Sequence, residues 1–377
     1  MRRVPIFIII LLIAICTIAN DGSYCVSGNT LKPLVETRIS ITKEILTITR
    51  NKKDNQKVDV SVYYEFNNPD EAKKLIVGFE AMSPSGDVNF EPIKGHHPYM
   101  TDFTVEMNDR VLPYKIHLAS DSLYFTDGAF REMSDKEIAE EVYDQYSEGI
   151  YVYHFNAYFK PGKNIIKHTY TCELSSSVID NYSFDYVLTA AMRWGNRQID
   201  DFTLIIDMGD DELLQIPQTF FGSSNDWLLV GLGKSTSSSR ADEEVYYRST
   251  KYSQFYIKRG KLIFQKKNFK TQGELYFYSP RIEMFCDSFD LNSDSILNPM
   301  NLIGNEYLEE AIKPADSLSR KVLRNLPFAI RGYIFKNNDL QTYFEKQVWY
   351  FPNQEYVTTE ISCLSEREQN WVKAWSD

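Results

Sequence analysis

The densest pattern of aromatic, glycine and proline residues in this chain lies near its end. It reads NLPFAIRGYIFK at 325–336, LQTYF at 340–344 and WYFPN at 349–353. Pro327 lacks a backbone donor and crowds the preceding turn, so it predicts a kink or a helix start. A short segment with so many aromatic residues indicates a small domain whose thin core depends on aromatic packing.

Apolar residues around this stretch repeat at helical spacing. Two helices are predicted from the shared faces of Leu318, Val322 and Leu326 and of Leu340, Tyr343 and Phe344. The sequence SERE at 365–368 is a capping box, and it predicts a closing helix with Trp371 and Trp375 on one side. The sequence thus predicts a helical domain at 306–377 after a linker at 287–305.

This end domain resembles the YARHG domain, a small module of bacterial proteins that is regarded as extracellular and has no assigned chemistry. The Tyr-Ala-Arg-His-Gly of the name falls on FAIRG at 328–332. Alanine and glycine are kept, whereas the tyrosine hydroxyl, the arginine position and the histidine are lost. The resemblance therefore implies a fold and an extracytoplasmic setting, and it transfers no catalytic residue.

The aromatic residues of the end domain exceed what one face of a short helix needs. Either they fill the small core, or some of them form a platform for a sugar ring or a partner segment. The candidate ligand or partner surface consists of Arg331, Tyr333, Phe335, Trp349, Tyr350 and Phe351.

Ahead of this domain, residues 31–278 alternate short β-like runs with turns. RISIT at 38–42, ILTIT at 45–49 and VDVSVYYEF at 58–66 place apolar residues at every second position, as in a strand covered on one face. KRGK at 258–261 predicts a hairpin turn between two such runs. The predicted fold class is mainly β, with one or two antiparallel β-sandwich units followed by the small α-helical domain.

The β region is predicted to divide into a domain at 20–178 and a second β unit at 179–286. A capping box, SDKE at 134–137, predicts one inserted helix near 134–147. The packing pattern of 21–280 resembles a family of uncharacterised bacterial periplasmic proteins. That resemblance implies an all-β body in the cell envelope and no catalytic residue.

The first residues resemble a secretory leader. Arg2 and Arg3 precede an uncharged apolar run at 6–15, and 17–19 read TIA, so cleavage after Ala19 is expected. The alternative is a lipoprotein anchored through Cys16. No later stretch reaches the roughly 18 apolar residues of a transmembrane helix, so no membrane span is expected.

Charge limits the classes of partner, and cysteine content agrees with export. The chain carries 52 acidic against 41 basic residues, a net charge of −11, which argues against nucleic acid and anionic membranes as partners. Without Cys16, four cysteines remain. They form one or two disulfides or stay as free buried thiols, and the sequence does not decide between these alternatives. The cysteines in question are Cys25, Cys172, Cys286 and Cys363.

Known catalytic motifs are incomplete. GLGKS at 231–235 lacks the first glycine of a phosphate loop, and His96 and His97 lack a further metal ligand. A glycosidase acid could lie among Asp207, Asp210 and Asp211, but acidic residues are common in the turn after a strand. No cofactor and no bound metal are therefore expected.

These features favour a non-catalytic secreted or periplasmic protein that binds cell-wall glycan or another envelope protein. One alternative is a hydrolase acting on envelope glycan or peptide, which would depend on the scattered carboxylates and the two adjacent histidines. A purely structural subunit is the third hypothesis, and it predicts a large uncovered apolar patch.

Overall fold

The structure is a computed structural model. It describes residues 27–28, 31–33, 38–82, 92–120, 149–177, 180–239, 251–280, 289, 299–303 and 312–376. The predicted leader at 1–19, the inserted helix at 134–147 and most of the linker at 287–305 lie outside the described residues.

Strands dominate the described chain and form one sheet of twelve strands and one of four. Their bounds are β1 Ser27–Gly28, β2 Leu31–Pro33, β3 Ser40–Arg50, β4 Lys57–Asn68, β5 Lys73–Met82, β6 Met100–Met107, β7 Arg110–Val111, β8 Lys115–Ser120, β9 Gly149–Phe159, β10 Gly162–Glu173, β11 Asp180–Tyr186, β12 Ile199–Asp207, β13 Glu212–Pro217, β14 Trp227–Ser239, β15 Lys251–Phe269 and β16 Leu275–Pro280.

The large sheet joins strands from both predicted β units. Its order is β1-β11-β16-β13-β15-β12-β3-β4-β10-β6-β7, with β14 paired to β15, and the small sheet runs β2-β5-β9-β8. Most neighbours are antiparallel, but β12 runs parallel to β3 and β1 runs parallel to β11. The large sheet is therefore mixed, whereas the small sheet is antiparallel throughout its described strands, and the β12–β3 pair connects the N-terminal strands to the later ones.

The two sheets enclose a common aromatic core. Along β4 every second side chain from Val58 to Phe66 is buried, as the alternating pattern predicts. Phe79 of the small sheet contacts Phe103 and Tyr170 of the large one, with ring centroids 5.0 and 5.2 Å apart. Burying each such side chain contributes roughly 1.5–3 kcal/mol, so this interface stabilises the body.

The hairpin turn predicted at 258–261 is wrong, because β15 runs unbroken through it. Gly260 pairs with Gly231 of β14, and their φ angles are +121° and +131°. A Cβ at either position would overlap a carbonyl oxygen of the opposite strand. The glycine pair therefore lets the two strands approach and bend, and β15 pairs with β13 on one side of the bend and with β12 on the other.

The C-terminal domain is helical, as predicted. Its helices are α1 Pro299–Leu302, α2 Ser317–Ile330, α3 Asn338–Glu345 and α4 Glu366–Ala374. The capping box of Ser365 and Glu368 is confirmed at the start of α4. Pro327 lies inside the last turns of α2 and does not start a helix.

A second core holds these helices together and attaches them to the β body. Trp371 of α4 is fully buried and donates its indole N–H to the carbonyl oxygen of Leu323 in α2 at 2.6 Å. Tyr256 of β15 belongs to the same core. Lys234 of β14 donates to the carbonyl oxygen of Tyr350 at 2.6 Å, so the β14–β15 strand pair contacts the helical domain.

Two of the four cysteines named above lie among the described residues, and both are free thiols. Cys172 is buried in β10, whereas Cys363 is exposed in the helical domain. Cys25 and Cys286 lie outside the described residues, so the disulfide expectation, whose pairing the sequence leaves open, stays a prediction for them. None of the described helices has both the length and the apolar character needed to cross a membrane.

Candidate functional site

A cavity of about 870 Å³ lies where the helical domain meets the β body, and we call it the junction groove. Its lining comes from both parts of the chain and comprises Leu232, Lys258, Met300, Ile330, Arg331, Phe351, Pro352, Asn353, Gln354, Glu355, Tyr356 and Glu368. Ligand pockets typically measure about 300–1,000 Å³, combine apolar walls with a few polar groups, and favour domain interfaces. The junction groove meets all three conditions.

A fixed ion pair forms one wall of the groove. Arg331, directly after α2, donates two parallel hydrogen bonds to the carboxylate of Glu368 in α4, at 2.6 and 2.9 Å, and a third to the carbonyl oxygen of Pro327. Burial would raise the pKa of Glu368, but hydrogen bonds from Arg331 and Ser365 hold it below its usual range. The hydrogen bonds with Glu368 likewise raise the pKa of Arg331. This wall therefore stays charged and keeps a defined shape.

Gly332 allows the loop at 351–356 to reach the groove. Its φ is +82°, and a Cβ there would overlap the carbonyl oxygen of Phe351 and lie 2.9 Å from the backbone nitrogen of Asn353. That nitrogen donates to the carbonyl oxygen of Gly332 at 2.8 Å. Only glycine combines this backbone conformation with this close approach, so the position fixes the loop.

Phe351 carries an aromatic ring into the junction. The Lys234 ammonium lies 5.0 Å from its ring centroid, within cation–π range, and the Tyr256 ring is 6.0 Å away. Tyr356 also lines the groove, and its buried hydroxyl has no hydrogen-bond partner among the residues that the structure describes. Unpaired buried hydroxyls of this kind are uncommon in native proteins.

Comparison with known proteins identifies the end domain. Residues 302–377 match the family model of the YARHG domain. The C-terminal part of this chain is a YARHG domain. Its match begins four residues before the border predicted from the sequence. Of the FAIRG stretch, Ile330 and Arg331 line the groove.

Whole-chain comparisons assign no function. No curated protein sequence matches the chain. The structure of a candidate nutrient binding protein from Legionella pneumophila is similar over 94% of this chain and 99% of its own, at 18% identity and a TM-score of 0.47.

Two further solved structures are more distant. An M1 zinc metallopeptidase from Deinococcus radiodurans is similar over 64% of this chain and 43% of its own, at 7% identity and a TM-score of 0.24. Baculovirus P35 is similar over 64% of this chain and 97% of its own, at 13% identity and a TM-score of 0.27. TM-scores this low identify neither a fold family nor an activity.

The structure places the six candidate surface residues in three different settings. Arg331 and Phe351 line the junction groove. Phe335, Trp349 and Tyr350 are buried in the core of the YARHG domain, with at most 7% of each exposed. Tyr333 is half-buried beside Phe335, and its carbonyl oxygen accepts a hydrogen bond from Tyr350.

Several groove residues were not predicted from the sequence. Leu232 and Lys258 come from the body, and nothing in their local pattern shows that the YARHG domain packs against them. The loop at 353–356 follows the aromatic run directly. The side-chain amides of Asn353 and Gln354 and the hydroxyl of Tyr356 were the only features of the sequence there that could have indicated a binding loop.

Other sequence candidates for chemistry take part in structural contacts among the described residues. GLGKS at 231–235 is part of β14 and forms no phosphate loop. His97 is buried, and its Nδ1 accepts from the Tyr99 backbone. Asp211 pairs with Lys258 at 2.6 Å. The described ranges contain no group of three or more His, Cys, Asp or Glu side chains that would hold a metal ion.

Proposed function

We propose that this protein is a non-catalytic binding protein of the bacterial cell envelope, and that the junction groove holds a segment of envelope glycan. The observation that carries the proposal is the groove itself, which the YARHG domain and the β body form together. The leader-like start of the sequence supports an exported protein.

The groove lining suits a sugar chain. A sugar ring has an apolar face, which packs on aromatic and aliphatic side chains, and a rim of hydroxyls, which bind amides and charged groups. Phe351 and Leu232 supply the first kind of contact, and Asn353 and Gln354 supply the second. The Arg331–Glu368 pair adds fixed donors and acceptors at the wall.

Hydrolysis is less well supported than binding. A glycosidase acid needs a raised pKa and access to the substrate. Glu368 lines the groove, but its hydrogen bonds to Arg331 and Ser365 lower its pKa despite the opposing effect of burial. Burial raises the pKa of Glu44 to about 8, yet this side chain is 1% exposed inside the β body. Neither carboxyl combines the two properties.

Sedimentation with purified cell-wall sacculi tests the proposal. The chain without residues 1–19 is expected to be retained, and Leu232→Asp is expected to weaken retention by about tenfold or more, because it places a charge against the apolar wall. Leu228→Asp is the matched control, since this residue lies on the same strand, is 58% exposed and does not line the groove.

The outcomes separate the two classes of partner. Retention of the control with loss of Leu232→Asp supports a glycan in the groove. Failure of the unsubstituted protein to sediment with sacculi, or equal retention of both variants, contradicts it. Capture of purified envelope proteins without sacculus binding would replace glycan by a protein partner. Thermal unfolding of both variants confirms that each one is folded.

A further inference from the structure

A second cavity, of about 650 Å³, lies where β3 and β12 begin. Three arginines line it, Arg38 from the segment before β3 and Arg193 and Arg197 from the turn before β12. Pro69 and Met192 add an apolar wall. We call this the arginine cleft. It is separate from the junction groove. Lys258 of that groove pairs with Asp211, which follows the opposite end of β12.

The two backbone segments that carry the arginines are locked together. Gly195 donates its N–H to the carbonyl oxygen of Ile39 at 2.8 Å. The Asn196 side chain accepts from the N–H of Ile41 at 3.2 Å and donates to its carbonyl oxygen at 2.9 Å. A Cβ at Gly195 would lie 2.6 Å from the carbonyl carbon of Arg38, so the approach requires glycine. The backbone positions of the three arginines are thus preorganised.

The positive charge in the cleft is only partly compensated. Arg193 and Arg197 are exposed and form no side-chain ion pair with any described residue. Arg38 pairs with Asp70 at 3.4 Å, but its side chain is 78% exposed. Exposed pairs of this kind contribute about 0–1 kcal/mol, so a ligand can replace this contact. Three arginines therefore line one cavity in a chain whose net charge is −11.

We infer that the arginine cleft binds a small polyanion through carboxylate or phosphate oxygens. Guanidinium presents planar paired donors that match both groups in a bidentate geometry, and several of them around a concave site raise the local potential for anions. The apolar wall limits hydration on one side and strengthens these contacts. The inference is independent of the glycan proposed for the junction groove.

Titration calorimetry at low ionic strength tests this inference with two probes, pyrophosphate and citrate. We expect at least one of them to bind, and the pair distinguishes phosphate from carboxylate recognition. The double substitution Arg193→Ala with Arg197→Ala is expected to weaken binding by about tenfold or more. Lysines at the same two positions keep the charge but lose the bidentate geometry, so an intermediate affinity is expected.

The matched control is Arg110→Ala with Arg259→Ala, which removes the same charge at exposed positions outside the cleft. Unchanged binding in this control supports a local site. An equal loss of affinity in both double variants would show that binding depends only on net charge and would overturn the inference. Absence of binding by both probes at millimolar concentration would also overturn it. Raising the salt concentration should weaken the binding, because the contacts are ionic.

Discussion

Replacing Glu44 with glutamine is expected to stabilise this protein at pH 8 by several kcal/mol and to leave its stability near pH 5 almost unchanged. Glu44 lies in β3 inside the β body and is 1% exposed. Its Oε1 is 3.5 Å from the hydroxyl of Tyr186, and its Oε2 has no hydrogen-bond partner among the described residues. A charge in this position is poorly compensated.

The sign follows from the two ionisation states. Burial raises the pKa of Glu44 from 4.5 to about 8, against the lowering effect of hydrogen bonds from Tyr186 and Tyr64. The unfolded chain releases this proton above pH 4.5, whereas the folded chain holds it until about pH 8. The stability contributed by the protonated group is thus fully present below pH 4.5 and is lost as the pH rises to about 8. At about 1.4 kcal/mol per pH unit the loss is roughly 5 kcal/mol.

His168 supplies an internal control with the opposite sign. Burial lowers its pKa from 6.5 to about 3, so its contribution is present above pH 6.5 and is lost as the pH falls toward 3. Between pH 4.5 and 6.5 the two effects oppose each other, and a stability plateau is expected. Glutamine at position 44 should remove the alkaline decline and keep the acid decline. Urea unfolding across this pH range measures both, and equal destabilisation of the variant at pH 5 and pH 8 would show that folded Glu44 is ionised.

The second large effect is expected from Gly332→Ala, which should destabilise the YARHG domain by roughly 3 kcal/mol or more. A left-handed backbone alone costs an alanine about 1–2 kcal/mol. Overlap with the carbonyl oxygen of Phe351 adds to this and displaces the loop that lines the groove. Denaturant unfolding followed by tryptophan fluorescence reports on the domain, because Trp349, Trp371 and Trp375 lie in its core.

Gly162→Ala is the matched control for this substitution. Gly162 has a φ of +79°, close to the +82° of Gly332, but a Cβ there meets no atom within 4 Å. Its replacement should therefore cost only the conformational part, about 1–2 kcal/mol. Similar losses for the two alanine variants would mean that the close approach to Phe351 contributes nothing.

The sequence predicted the parts of the fold that depend on local patterns. Alternation in β4 identified a strand covered on one face, and the Ser365–Glu368 capping box identified the start of α4. The predicted turn at 258–261 failed because Gly260 looks like a hairpin signal, whereas its partner Gly231 is far away in the sequence. A glycine pair that lets two strands bend together has no local signature.

Only the part of the candidate site that the YARHG domain contributes was predictable from the sequence. The aromatic run and the FAIRG stretch pointed to the YARHG domain, and two of the candidate residues there, Arg331 and Phe351, line the groove. Aromatic composition alone does not distinguish an exposed binding platform from a buried core. Trp349 and Tyr350 were therefore included in the predicted binding surface, although both are buried. Leu232 enters the site because two domains meet, which no single segment encodes.

Hydrogen exchange tests the central claim, that the junction groove binds envelope glycan, most directly. Soluble glycan fragments released from sacculi would be added to the protein, and exchange would be compared with and without them. Our account predicts slower exchange in peptides that contain residues 330–332 and 351–356, with no change at 193–197 in the arginine cleft. Unchanged exchange in both groove peptides, or protection confined to another surface, would contradict it.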